Sequence, residues 1–124
     1  MNMNKTIIVV DDFSFFTGIL KNRLTNEFGY NVTAFENPLE ALKIFDGRHI
    51  DLLISDFMMP HMNGAELTTE IKKIQIYSKL PVLIISSETK QEYKEQAKKA
   101  GAFGWLAKPF DIERFDSIVQ RILK

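Results

Sequence analysis

The chain has 124 residues, enough for one domain that buries roughly two thirds of its unfolded surface. Apolar residues make up 45% and charged residues 26%, and 16 basic residues balance 16 acidic ones, so no basic surplus points to nucleic acid. There is no cysteine, which excludes disulfides and thiolate metal sites, and no apolar run nears the roughly 18 residues of a membrane span.

The start, MNMNK, precedes only a short apolar run that ends in two acids, unlike a secretory signal. Residues 1–5 read as a short flexible leader, with Met1 or Met3 as the start, on a single cytoplasmic domain spanning 1–124. TIIVV (6–10) has strand length. In 14–28, Phe16, Ile19, Leu20, Leu24 and Phe28 follow helical spacing. NVTAF (31–35) is the next strand, and in 37–46 Asn37 can cap a helix with Pro38 in its first turn and Leu42 and Phe45 facing inward. DLLIS (51–55) is a strand, and Leu67, Ile71 and Ile74 share one face of a helix over 65–74. PVLIIS (81–86) follows. The segment 88–100, ETKQEYKEQAKKA, offers only Tyr93, Ala97 and Ala100 as a stripe, which predicts a weakly anchored and mobile helix. FGWLA (103–107) is the fifth strand, and Asp111 can cap a helix over 111–123 that buries Phe115, Ile118 or Val119, and Ile122. Nearly continuous apolarity in the strands suits a parallel sheet covered on both faces. Strict alternation gives a (βα)5 chain whose ligand site lies at the carboxyl ends of the strands, where the strand order reverses.

That edge collects chemistry. Strand 1 ends in Asp11 and Asp12, strand 3 in Asp56, strand 4 in Ser86 and strand 5 in Lys108, with only strand 2 contributing nothing. Each residue has a bland reading alone: a turn or cap for the acids, loop chemistry for Ser86, a snorkelling chain for Lys108. Their convergence on one edge is what favours function. Three crowded carboxylates repel unless a cation sits among them, and hard oxygen ligands with room for water and phosphate suit Mg2+. A carboxylate beside Mg2+ can attack phosphorus, while a lysine ammonium stabilises the spread charge of the transferring phosphoryl group.

These segments, VVDDFS (9–14), DLLISDFMMPHMNG (51–64), PVLIISSE (81–88) and GWLAKPF (104–110), resemble the response regulator receiver domains of two-component signalling, and among them the stand-alone chemotaxis type. The resemblance covers essentially the whole chain. It implies a flavodoxin-like three-layer α/β/α sandwich with strand order 2-1-3-4-5. It also implies that Asp56 is the phosphoacceptor, that Asp12, Asp56 and the backbone carbonyl of Met58 bind Mg2+ directly, and that Asp11 binds it mostly through water. Ser86 matches the switch hydroxyl, Trp105 the aromatic switch, and Lys108 the phosphate-binding lysine, with a cis bond to Pro109. Met58 and Glu88 match the positions that tune hydrolysis. The implied partners are a histidine kinase and a phosphorylation-dependent protein target at the face of helix 4, strand 5 and helix 5. The expected state is a monomer, with no nucleic-acid or membrane partner.

Two departures stand out. Trp105 is bulkier than the Tyr or Phe usual in the family, so it would swing inward incompletely. Met58 replaces a polar residue of the chemotaxis regulators, which predicts slower loss of phosphate. The chain ends with helix 5, so a stand-alone regulator is expected, in chemotaxis or as a shuttle to a histidine phosphotransfer protein. A turnover enzyme is not expected. A haloacid-dehalogenase-type phosphatase would need D-x-D rather than the adjacent DD, and flavin binding would need a Ser/Thr/Gly-rich loop where DDFSFF stands. His49 and His61 read as isolated exposed loop residues, KQEYKEQAKK as a solvated helix face, and MMPHMNG as core packing plus a turn at Asn63-Gly64.

Overall fold

The computed structural model describes residues 5–124, so residues 1–4 of the expected leader lie outside the described residues. In chain order the elements are β1 (Thr6–Val10), α1 (Ser14–Phe28), β2 (Asn31–Phe35), α2 (Pro38–Leu42), β3 (Leu52–Ser55), α3 (Gly64–Lys72), β4 (Val82–Ser86), α4 (Gln91–Ala100), β5 (Gly104–Ala107) and α5 (Ile112–Leu123). A 3-10 turn over Gln75–Tyr77 lies between α3 and β4. The strands form one parallel sheet ordered β2-β1-β3-β4-β5.

The burial of each strand follows from its place. β3 and β4 are buried at every residue and β1 at all but its first, because helices cover both faces of the sheet's centre. The edge strand β2 exposes Asn31 and Thr33 and buries Val32. Alternate strand residues feed two cores. Ile7, Val9, Leu52, Ile54, Leu83 and Ile85 pack with Leu20 and Leu24 of α1 and Phe115 and Val119 of α5. Ile8, Val10, Leu53, Val82 and Ile84 pack with Ala41 of α2, Leu67 and Ile71 of α3 and Ala97 of α4. Each fully buried large apolar side chain contributes about 1.5–3 kcal/mol, so the core rests on the period-2 pattern of the strands. Arg23 and Asp116 tie α1 to α5 by a bidentate ion pair, with Nε 3.1 Å from Oδ1.

Several expectations need correction. The predicted helix over 37–46 ends at Leu42, although Asn37 caps it by accepting the Leu39 N–H at 2.8 Å. Beyond Leu42 the chain tightens into i→i+3 bonds that still carry Phe45 into the core. Ile19 is largely exposed rather than facing inward. Asp111 sits at the N-cap of α5 but makes no side-chain capping bond. Asn63-Gly64 is not a free turn: Asn63 caps α3 in a reciprocal capping box with Glu66, both bonds 2.8 Å. His49 is exposed but not isolated, its Nε2 lying 2.8 Å from Asp51 Oδ1.

Candidate functional site

The order reverses between β1 and β3, and the register there aligns Val10 with Ser55. The next residues, Asp11 and Asp56, therefore leave the sheet side by side, one residue past the strand ends rather than within them. Asp56 is tied in place by its backbone N–H, which donates to the Val10 carbonyl at 2.9 Å. Asp11, Asp12 and Asp56 each offer a carboxylate oxygen, and these oxygens lie within 4.8 Å of one another.

The three acids differ in setting. Asp11 is buried; its Oδ1 accepts the Phe13 N–H at 2.9 Å and its Oδ2 lies 3.0 Å from Lys108 Nζ. Asp12 is exposed. Asp56 is half-buried, and its Oδ1 accepts the Phe57 N–H at 2.8 Å, while no hydrogen bond among the described residues engages Oδ2. Burial and then the Asp11 charge push the Asp56 carboxyl up to about 6, against the pull of Lys108 and the Phe57 N–H, with Asp12 adding slightly to the rise. Three carboxylates gathered in this way fit a divalent cation, because all the donors are hard oxygens and positive charge relieves their repulsion.

The other edge residues complete the rim. Ser86 ends β4, is buried, and its Oγ accepts the Glu88 N–H at 3.1 Å. Glu88 lies outside helix α4, which begins at Gln91 instead of the predicted 88. Lys108 follows β5; its peptide bond to Pro109 is cis, and its Nζ stands 4.0 Å from the centroid of the Phe16 ring. Met58 is 46% exposed, whereas Met59 and Met62 pack against the core. Trp105 is half-buried on β5, tilted against Phe57 at 5.4 Å, and Phe57 stacks on Tyr93 of α4 at 4.8 Å. The Trp105 indole N–H is inaccessible and has no hydrogen-bond partner among the described residues. His61 lies exposed with φ 77° in the loop after Met58, outside the acidic cluster.

Sequence reasoning passed over two residues. A side chain at Gly64 would put its Cβ 2.6 Å from the Asp56 carbonyl oxygen, so only glycine lets α3 approach the acidic residue. The sole signal was Gly64 at the end of the motif DFMMPHMNG, which no periodicity explains. Phe16 was assigned to the α1 core stripe alone, and its place over Lys108 depends on a contact between residues far apart in the chain.

Comparison with known proteins agrees with this geometry. A family model described as the response regulator receiver domain matches residues 7–120. Chemotaxis protein CheY-3 of Vibrio cholerae is 35% identical over 127 residues, covering 98% of this chain and 97% of its own. Histidine kinase P4 of Formosa agariphila is 34% identical over 96% of this chain but only 8% of its own length. The solved structure of Vibrio cholerae CheY4 superposes with a TM-score of 0.89 at 32% identity, covering 97% of this chain and 99% of the other. A signalling domain of this kind is not a turnover enzyme, and the haloacid-dehalogenase and flavin readings give way to it. By fold, by acidic pocket and by these matches, the chain belongs to the response regulator receiver domain family.

Proposed function

We propose that this chain is a response regulator that accepts a phosphoryl group on Asp56 from the phosphohistidine of a histidine kinase, with Mg2+ held by Asp12, Asp56, the Met58 carbonyl and, through water, Asp11. The observation that carries the reading is the meeting of three carboxylates within 4.8 Å at the sheet's switch point, with Lys108 Nζ 3.0 Å from one of them. Bound Mg2+ would neutralise the pocket and the oxygens of the incoming phosphoryl group. Asp56 Oδ2, which no hydrogen bond among the described residues engages, forms the new bond to phosphorus as the phosphorus–nitrogen bond of the donor breaks and the imidazole leaves. Lys108 exchanges Asp11 for a phosphoryl oxygen. The Ser86 hydroxyl gives up the Glu88 N–H and donates to another phosphoryl oxygen, and Trp105 follows into the vacated space.

The readout we assign is the face of α4, β5 and α5, whose partner would be a protein target. Near full-length similarity to a chemotaxis protein supports a motility setting. The alternative, a shuttle that returns phosphate to a histidine phosphotransfer protein, would show itself by back-transfer from the phosphorylated chain. The direct test is incubation with acetyl phosphate and Mg2+ followed by mass spectrometry. One phosphoryl adduct is expected, lost in Asp56→Asn and on chelation of the metal. An undiminished adduct in Asp56→Asn would refute the assignment.

A further inference from the structure

Lys108 is held from two sides. Its Nζ lies 3.0 Å from Asp11 Oδ2 and 4.0 Å from the centroid of the Phe16 ring, well inside the roughly 6 Å range over which a ring face attracts a cation. The ring is itself fixed. Phe16 meets Phe110 edge-on at 6.2 Å and 81°, and Phe110 stacks on the fully buried Phe115 of α5 at 5.7 Å. The first turn of α1 and the core under α5 thus aim one aromatic face at the ammonium of a half-buried lysine.

We infer that Phe16 is a positioning residue for phosphoryl transfer, its ring holding the Lys108 ammonium at the sheet edge while the ammonium exchanges Asp11 for a phosphoryl oxygen. The inference rests on the role proposed for Lys108. Asp11 is drawn toward the cation when metal binds, which weakens its hold on Lys108. A four-carbon side chain released at that moment has many rotamers that lead into solvent. The ring's attraction is set by its quadrupole rather than by one hydrogen-bond direction, so it persists while the ammonium's N–H groups change partner. An aliphatic residue would fill the same space and supply none of this.

The test separates this from packing. Fluoroberyllate affinity is measured by fluorine NMR at saturating Mg2+, and Mg2+ affinity alone by calorimetry, in wild type, Phe16→Leu, Phe16→Tyr, Lys108→Met and the double variant Phe16→Leu/Lys108→Met. Phe16→Leu is expected to weaken fluoroberyllate binding about five- to tenfold with Mg2+ affinity unchanged, and Phe16→Tyr to bind as wild type does. In the Lys108→Met background Phe16→Leu should have no further effect. Unchanged fluoroberyllate affinity in Phe16→Leu, a parallel loss of Mg2+ affinity, or an equal loss without Lys108 would each overturn the inference. Unchanged affinity in Lys108→Met would instead overturn the role of the lysine, and this inference with it.

Discussion

Asp56 carries its charge against its surroundings. Burial and the Asp11 charge hold its carboxyl at about 6, above the ordinary 3.8. A carboxyl raised on folding binds protons more readily in the native than in the unfolded state, so between about pH 4 and 6 stability falls as pH rises, and above 6 the penalty is complete. The metal-free protein should therefore melt higher at pH 5 than at pH 7 to the extent that Asp56 decides it. Asp56→Asn should stabilise the protein at pH 7 by about 1 kcal/mol after allowing for solvent screening, which raises the melting temperature, and should flatten the difference. Calorimetry in chelator checks this, and an Asn variant no more stable than wild type at pH 7 would contradict it. Two neighbours carry further predictions. Met58, two residues after Asp56, is exposed, and we propose that its bulk obstructs the hydrolytic water. Met58→Asn should shorten the phosphoryl lifetime about three- to tenfold, about 1 kcal/mol in barrier, read by decay of the adduct. Gly64→Ala should cost about 1–3 kcal/mol in urea unfolding, because its Cβ meets the Asp56 backbone rather than a movable side chain.

At the scale of elements, what the sequence discloses follows what each residue alone can signal. All five strands were legible to within one residue, because β-branched runs covered on both faces leave a continuous apolar trace. α1 was placed at 14–28 as found, although its stripe did not reveal that Ile19 faces solvent. Some starts were not legible. α4 starts at Gln91 rather than 88, after a short turn in which the Ser86 hydroxyl accepts the Glu88 N–H. The turn at Gln75–Tyr77 escaped notice because it is held from afar, the Tyr77 hydroxyl donating to the Arg48 carbonyl at 2.7 Å and accepting the Gly47 N–H at 3.0 Å. The convergence of acids was legible because alternation fixes which end of a parallel strand carries the site; the place of Phe16 over Lys108 was not, since it needs the packing of α1 against the loop after β5. The thin stripe of α4 also has a dynamic consequence. Ala97 is the one residue of its ten that is fully buried. Elements with so little buried surface open at low free energy. Amides of Gln91–Ala100 should exchange with deuterium faster than those of α3 and α5, and equal protection would argue against α4 as the movable element.

At the scale of the whole molecule, the site and the α4–β5 face are joined by contact. Phe57 follows Asp56 in the chain, is fully buried, and packs on both Tyr93 of α4 and Trp105 of β5. A change at Asp56 therefore bears on two elements of the proposed readout face through one aromatic cluster. Trp105 is the only tryptophan, and its buried indole N–H, without a hydrogen-bond partner among the described residues, leaves it in a setting that any displacement alters. A ligand that binds the folded state alone stabilises it by mass action, about 2.7 kcal/mol at a hundredfold excess over its dissociation constant. In a domain of this size that is on the order of ten degrees. Fluoroberyllate with Mg2+ at that excess should therefore raise the melting temperature by about that much, and the Trp105 emission should shift with a midpoint at the dissociation constant that the thermal shift implies. Phe57→Leu should keep most of the thermal shift and lose much of the emission change, since the phosphoryl site remains while the contact to Trp105 is weakened. An emission change undiminished in Phe57→Leu would place the coupling elsewhere, with the Ser86 hydroxyl at the end of β4 as the next residue to vary.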